Sequence, residues 1–84
     1  MLKQELATFI EKRIDECGSE DFGIGRREAF IRIYKRLRNT RGYIYSLVCH
    51  YYLKTEGRDS DVVKGVRSAY ADILSQINCW EGLP

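Results

Sequence analysis

Cys49 and His50 stand side by side, and a thiol next to an imidazole is the pairing from which a nucleophile and its general base can be built. His50 is the chain's one histidine. The apolar residues of the segment around it, YIYSLVCHYYL (43–53), recur at spacings of 0, 1, 4, 5 and 8, which suit a helix. Neighbouring helical residues project about 100° apart, so the two side chains diverge. The expectation is a buried structural cysteine beside a histidine at the rim, with no catalytic residue and no enzymatic activity.

A metal centre would require Cys17, Cys49, Cys79 and His50 to converge, because zinc holds its ligands at about 2.0 to 2.3 Å. In an up-and-down bundle, Cys17 and Cys79 end helices that run in opposite directions and lie at opposite ends. No metal site and no cofactor are expected. Three widely spaced cysteines, without the paired spacings of a zinc site or a disulfide framework, point to reduced thiols and a cytoplasmic location.

GIGRR (23–27) offers glycines that would let backbone amides approach a phosphate at a helix N-terminus. Dinucleotide and P-loop fingerprints also need a preceding strand and further fixed glycines or a Lys-Ser/Thr pair, and neither is present. The stretch reads as a flexible hinge leading into a helix.

The strongest signal is charge. Residues 26–41 hold seven of the chain's fourteen basic residues against one acid, Glu28, while the rest carries seven basic and eleven acidic residues, a balance of −4. Arg32 with Lys35, Arg32 with Arg36, and Lys35 with Arg38 are like-charge neighbours three or four apart, each unfavourable by a few tenths of a kcal/mol in an isolated helix. Something acidic should lie nearby. One source is internal: Glu28 precedes Arg32 by four residues, and the acids of DECGSED (15–21) are close in sequence. The second is an acidic protein surface, which arginine's planar fork suits well. The third is nucleic acid, with Tyr34, Tyr43 and Tyr45 available for stacking. A net charge of +2 and an isoelectric point near 8.5 argue against the third. A standard helix-turn-helix is also disfavoured, because its reading helix would be the almost uncharged GYIYSLVCHYY.

The elements that must position these residues follow from apolar spacing. Leu2, Leu6, Phe9, Ile10, Ile14 and Cys17 mark a first amphipathic helix that stops near Gly18. GSEDFGIG (18–25) reads as a loop, with Phe22 and Ile24 folding back onto the core. A second helix over about Arg26–Asn39 carries Phe30, Ile33, Tyr34 and Leu37 on one stripe and Arg32, Lys35 and Arg36 on the other. The third, Tyr43 to about Glu56, is apolar nearly all round, which predicts a central position. The fourth, about Ser60–Asn78, keeps Val62, Val63, Val66, Ala69, Tyr70, Ile73, Leu74 and Ile77 on one stripe, capped by Asp59 or Ser60.

The sequence therefore predicts one all-α domain over residues 1–84, a small antiparallel bundle of about four helices with the third most buried. No stretch is long and apolar enough to insert in a membrane, so no membrane partner is expected. The expected function is that of a small binding protein, a regulator, inhibitor or adaptor, docking an acidic protein surface. Its partner-binding residues are Arg26, Arg27, Arg32, Lys35, Arg36, Arg38 and Arg41, with Tyr45 and Tyr52. Nucleic-acid binding through the same helix is the alternative. A third class is a minor structural subunit or homodimer relying on Tyr45, Tyr52 and Trp80, since tyrosines are enriched at interfaces.

Overall fold

The computed structural model describes residues 3–39 and 44–81, with side chains for 4–37 and 44–77. Its elements are four helices: α1 (Lys3–Glu16), α2 (Asp21–Asn39), α3 (Ile44–Leu53) and α4 (Asp61–Glu81). No strand occurs among the described residues. None of the helices is long and apolar enough to cross a membrane.

One core joins them in a bundle. Leu6 and Ile10 from α1, Ala29, Phe30, Ile33 and Leu37 from α2, Val48 from α3, and Ala69, Tyr70, Ile73 and Ile77 from α4 are all buried. These residues fall on the stripes that helical periodicity selects, because each stripe is the one face that a neighbouring helix can remove from water.

The closest pairing is between α2 and α4. Phe22 lies against Gly65, Gly25 against Val62 and Val66, and Arg26 reaches Ser68 and Asp72. Gly25 and Gly65 are both buried where the backbones meet. A Cβ on Gly25 would overlap the Val62 carbonyl oxygen and stand 2.8 Å from its carbon; one on Gly65 would overlap the Phe22 carbonyl oxygen and stand 2.9 Å from its carbon. One turn on, Ala29 and Ala69 continue the narrow seam.

This seam corrects the expected loop over 18–25. α2 starts at Asp21, five residues before Arg26, and Gly23 and Gly25 lie inside it. Intrinsic propensity disfavours glycine in a helix by about 1 kcal/mol, but here the missing side chain is what lets α4 approach. Phe22 and Ile24 do not fold onto the core; they are exposed at 45% and 42%.

The third helix is not the most buried. Val48 is its one fully buried residue, and α3 packs chiefly on α4, while α2 and α4 supply most of the core. All-round apolarity did not produce burial because α3 is short, and Tyr45 and Leu53 on its outer side stay exposed. It ends at Leu53, and the following turn reaches Gly57, which adopts φ 85°, a left-handed conformation natural to glycine.

The connection from α3 to α4 is fixed by side chains. Ser60 caps α4, its Oγ accepting from the Val63 amide at 3.2 Å. Arg67 reaches back from α4: Nε donates to Thr55 Oγ1 at 3.2 Å, and Nη2 donates to the carbonyls of Thr55 at 2.7 Å and Arg58 at 3.1 Å. The Thr55 hydroxyl donates to the Tyr52 carbonyl at 2.7 Å. A guanidinium thus satisfies carbonyls beyond a helix end that no helical amide can reach.

Candidate functional site

The expected binding residues divide into three groups. Arg26 turns inward: Nη1 donates to Ser68 Oγ at 2.6 Å, Nη2 pairs with Asp72 Oδ2 at 2.9 Å, and the guanidinium lies 5.1 Å from the centre of the Phe30 ring. It staples α2 to α4 and is only partly accessible. Arg27, Arg32, Lys35 and Arg36 are exposed on α2. Arg38 lies in α2 but its side chain is outside the described ones, and Arg41 lies outside the described residues.

The predicted tyrosines differ as well. Tyr45 is exposed at 39%, whereas Tyr52 is half-buried against the core. Tyr34 is half-buried, and its hydroxyl donates to Glu11 on α1.

The acids near α2 in sequence do not neutralise its cations. Among the described residues, the ion pairs are Arg13–Glu16 within α1 and Arg26–Asp72. Neither Glu28 nor the described acids of DECGSED pair with Arg27, Arg32, Lys35 or Arg36. Helical geometry explains this for α2's own start: Asp21 lies at the far end of the helix from Arg32 and Arg36, about 1.5 Å per residue away. The cations instead meet aromatic rings. Arg32 and Arg36 sit 5.6 and 5.9 Å from the centre of Tyr51 on α3, and Tyr51 stacks on Tyr70 at 5.8 Å with an 18° interplanar angle.

Arg32 also donates from Nη1 to the Tyr70 hydroxyl at 3.0 Å. Its position is therefore set by α3 and α4 together. Beside it, Glu28, Ile31, Arg32, Lys35 and Arg36 line a shallow groove of about 390 Å³ on the outer side of α2. On the other side, Arg32 shares a second concavity with Lys54 and Arg58, two cations from the α3–α4 connection. Sequence reasoning missed both, because they lie in a turn far along the chain from α2 and only the fold brings them to Arg32. It also missed Tyr51 as the ring on which the cations rest.

Burial pushes the Tyr70 phenol above its ordinary pKa of 10.0; the hydrogen bond and charge of Arg32 pull it back in part, and Tyr51 adds to the rise. The folded chain thus keeps this proton where the unfolded chain releases it. The resulting contribution to stability is complete below pH 10 and is lost as pH climbs through the raised value. Urea unfolding between about pH 8 and about pH 11 should show stability falling above pH 10, and Tyr70→Phe should make the fall shallower. An unchanged slope in that variant would mean other groups carry the alkaline loss.

Cys49 is half-buried and His50 is exposed on adjacent helical positions, and Cys17 donates its thiol to the Arg13 carbonyl at 3.2 Å. Cys79 and Trp80 lie outside the residues with described side chains. No cluster of three metal-ligating side chains occurs among the described residues. Compared with known proteins, the chain matches no family model, no curated protein and no solved structure.

Proposed function

We propose that this chain is a small binding protein, acting as a regulator, inhibitor or adaptor, that docks an acidic protein surface on the exposed cationic side of α2. The observation that carries this reading is that Arg27, Arg32, Lys35 and Arg36 are exposed and have no acidic partner among the described residues. Like charges at helical spacing disfavour one another, and a carboxylate-bearing surface relieves that repulsion while forming charge-assisted hydrogen bonds. Arg32 and Arg36 rest against Tyr51, so part of their freedom is already restricted before docking. Tyr45 on α3 is exposed as well, an aromatic side chain of the kind enriched at interfaces. The unpaired thiols of Cys17 and Cys49 fit work in a reducing compartment such as the cytoplasm.

The test is capture of the full chain's partner from its native cells after nuclease treatment, followed by reconstitution with the purified partner. Lys35→Glu with Arg36→Glu should weaken the reconstituted complex by about 10-fold or more, with most of the loss in association rate and in salt dependence. A partner that binds the double variant as tightly as the parent overturns the reading. Should mixed-sequence DNA or RNA instead bind with affinity that falls steeply with salt, and lose binding in the same variant, the partner is nucleic acid and not protein.

A further inference from the structure

Arg32 on α2, Lys54 in the turn after α3, and Arg58 on the approach to α4 line one concavity of about 340 Å³, whose inner wall includes Val63, Val66 and Tyr70. Its lining includes no carboxylate. Three cations thus converge from separate parts of the chain, and none of them forms an ion pair among the described residues. The pocket is also preorganised. Arg32 spends one of its five donors on the Tyr70 hydroxyl and lies over Tyr51, which leaves the remaining donors of its fork available. The segment carrying Lys54 and Arg58 is pinned to α4 by Arg67 through the carbonyls of Thr55 and Arg58, a contact made without the Arg58 guanidinium.

The charge count selects the ligand. A carboxylate would offset one of the three cations and present two acceptor oxygens, whereas a phosphate monoester carries about −1.5 to −2 at pH 7 and presents three strong acceptors. We propose that this concavity is a binding pocket for a phosphate group. It shares Arg32 with the docking face above, and it stands whether or not a protein partner docks there. The group is supplied either by free phosphate or by a phosphorylated side chain, and the two sources separate experimentally.

The full chain is titrated by NMR with inorganic phosphate, with a phosphoserine peptide flanked by glycines, and with the matching glutamate peptide. Saturable shifts are expected at the Arg32 Nε–H and the amides of residues 54–58, with the phosphoserine peptide binding about 10-fold or more tightly than the glutamate peptide. Lys54→Gln with Arg58→Gln should remove that preference while leaving the thermal unfolding transition in place. A phosphoserine peptide tighter than inorganic phosphate assigns a phosphorylated side chain as the source; equal affinities assign the free anion, and either upholds the pocket. Equal binding of the phosphoserine and glutamate peptides overturns it, as does undiminished affinity in the double variant or a response spread evenly over Arg27 and Lys35. Because no macromolecular partner enters this titration, its failure is distinct from failure of the docking reading.

Discussion

Gly65→Ala is expected to destabilise the protein by about 3 kcal/mol or more, although the same substitution in an open helix would stabilise it by about 1 kcal/mol. The sign reverses because of what the new methyl meets. It would overlap the Phe22 carbonyl oxygen and stand 2.9 Å from the Phe22 carbon and 3.0 Å from the Arg26 nitrogen. These are backbone atoms inside a helix, and they cannot rotate away. Either α2 and α4 separate along the seam that supplies most of the core, or one of them bends. Gly25→Ala should behave alike, since its Cβ would meet the Val62 carbonyl. Gly18→Ala is the control: no atom lies within 4 Å of its Cβ and its φ is not positive, so a gain of about 0.4 to 1 kcal/mol is expected from the stiffer unfolded chain. Urea denaturation of the three variants decides the matter. Equal or increased stability in Gly65→Ala would mean that the helices do not approach so closely.

The second large effect is at Phe30. Its side chain is fully buried, with the Arg26 guanidinium over its ring, and replacement by alanine removes that apolar area and opens a cavity among Ala29, Ile33 and the facing α4 residues. Phe30→Ala should cost about 3 to 5 kcal/mol. A domain of this size has a total stability of about 4 to 13 kcal/mol, so the variant should lose a large share of its cooperative transition. The same mutation also removes the platform beneath the Arg26–Asp72 pair, exposing that staple to more water and weakening it. Far-ultraviolet circular dichroism against urea measures the loss; a change below about 1 kcal/mol would mean that the ring is not part of the core.

How far the sequence reveals this protein depends on the physical origin of each feature. The stripes Phe30, Ile33, Leu37 and Ala69, Tyr70, Ile73, Ile77 are legible because burial of one helical face imposes a period near 3.6. The Ser60 cap is legible because its chemistry is local. Gly25 misleads because a tertiary contact with α4 outweighs an unfavourable local propensity, and Gly23 because its backbone lies close against Gly18. The informative sign was a repeated spacing, Gly25 with Ala29 and Gly65 with Ala69, which places two small residues one turn apart on each of two helices. The apolar girth of α3 misleads for the opposite reason: Tyr45 and Leu53 are exposed despite their type. The Arg, Lys and Tyr groups of the site are partly legible on α2, where composition alone exposes them. Lys54, Arg58 and Tyr51 are not, because only the packing of α3 and its turn onto α4 brings them beside Arg32.

The lateral attachment of α3 has an energetic consequence of its own. With Val48 as its one fully buried residue and α4 as its chief support, α3 is expected to open locally at a lower free energy than global unfolding requires, which amide hydrogen exchange measures. Each such opening would withdraw Tyr51 from Arg32, while Arg67 keeps the segment after α3 on α4. A ligand that needs Arg32 held by Tyr51 would favour the closed form, and its occupancy would suppress this local opening by up to RT ln(1 + [L]/Kd). The exchange rates of the α3 amides would then report occupancy of the cationic face.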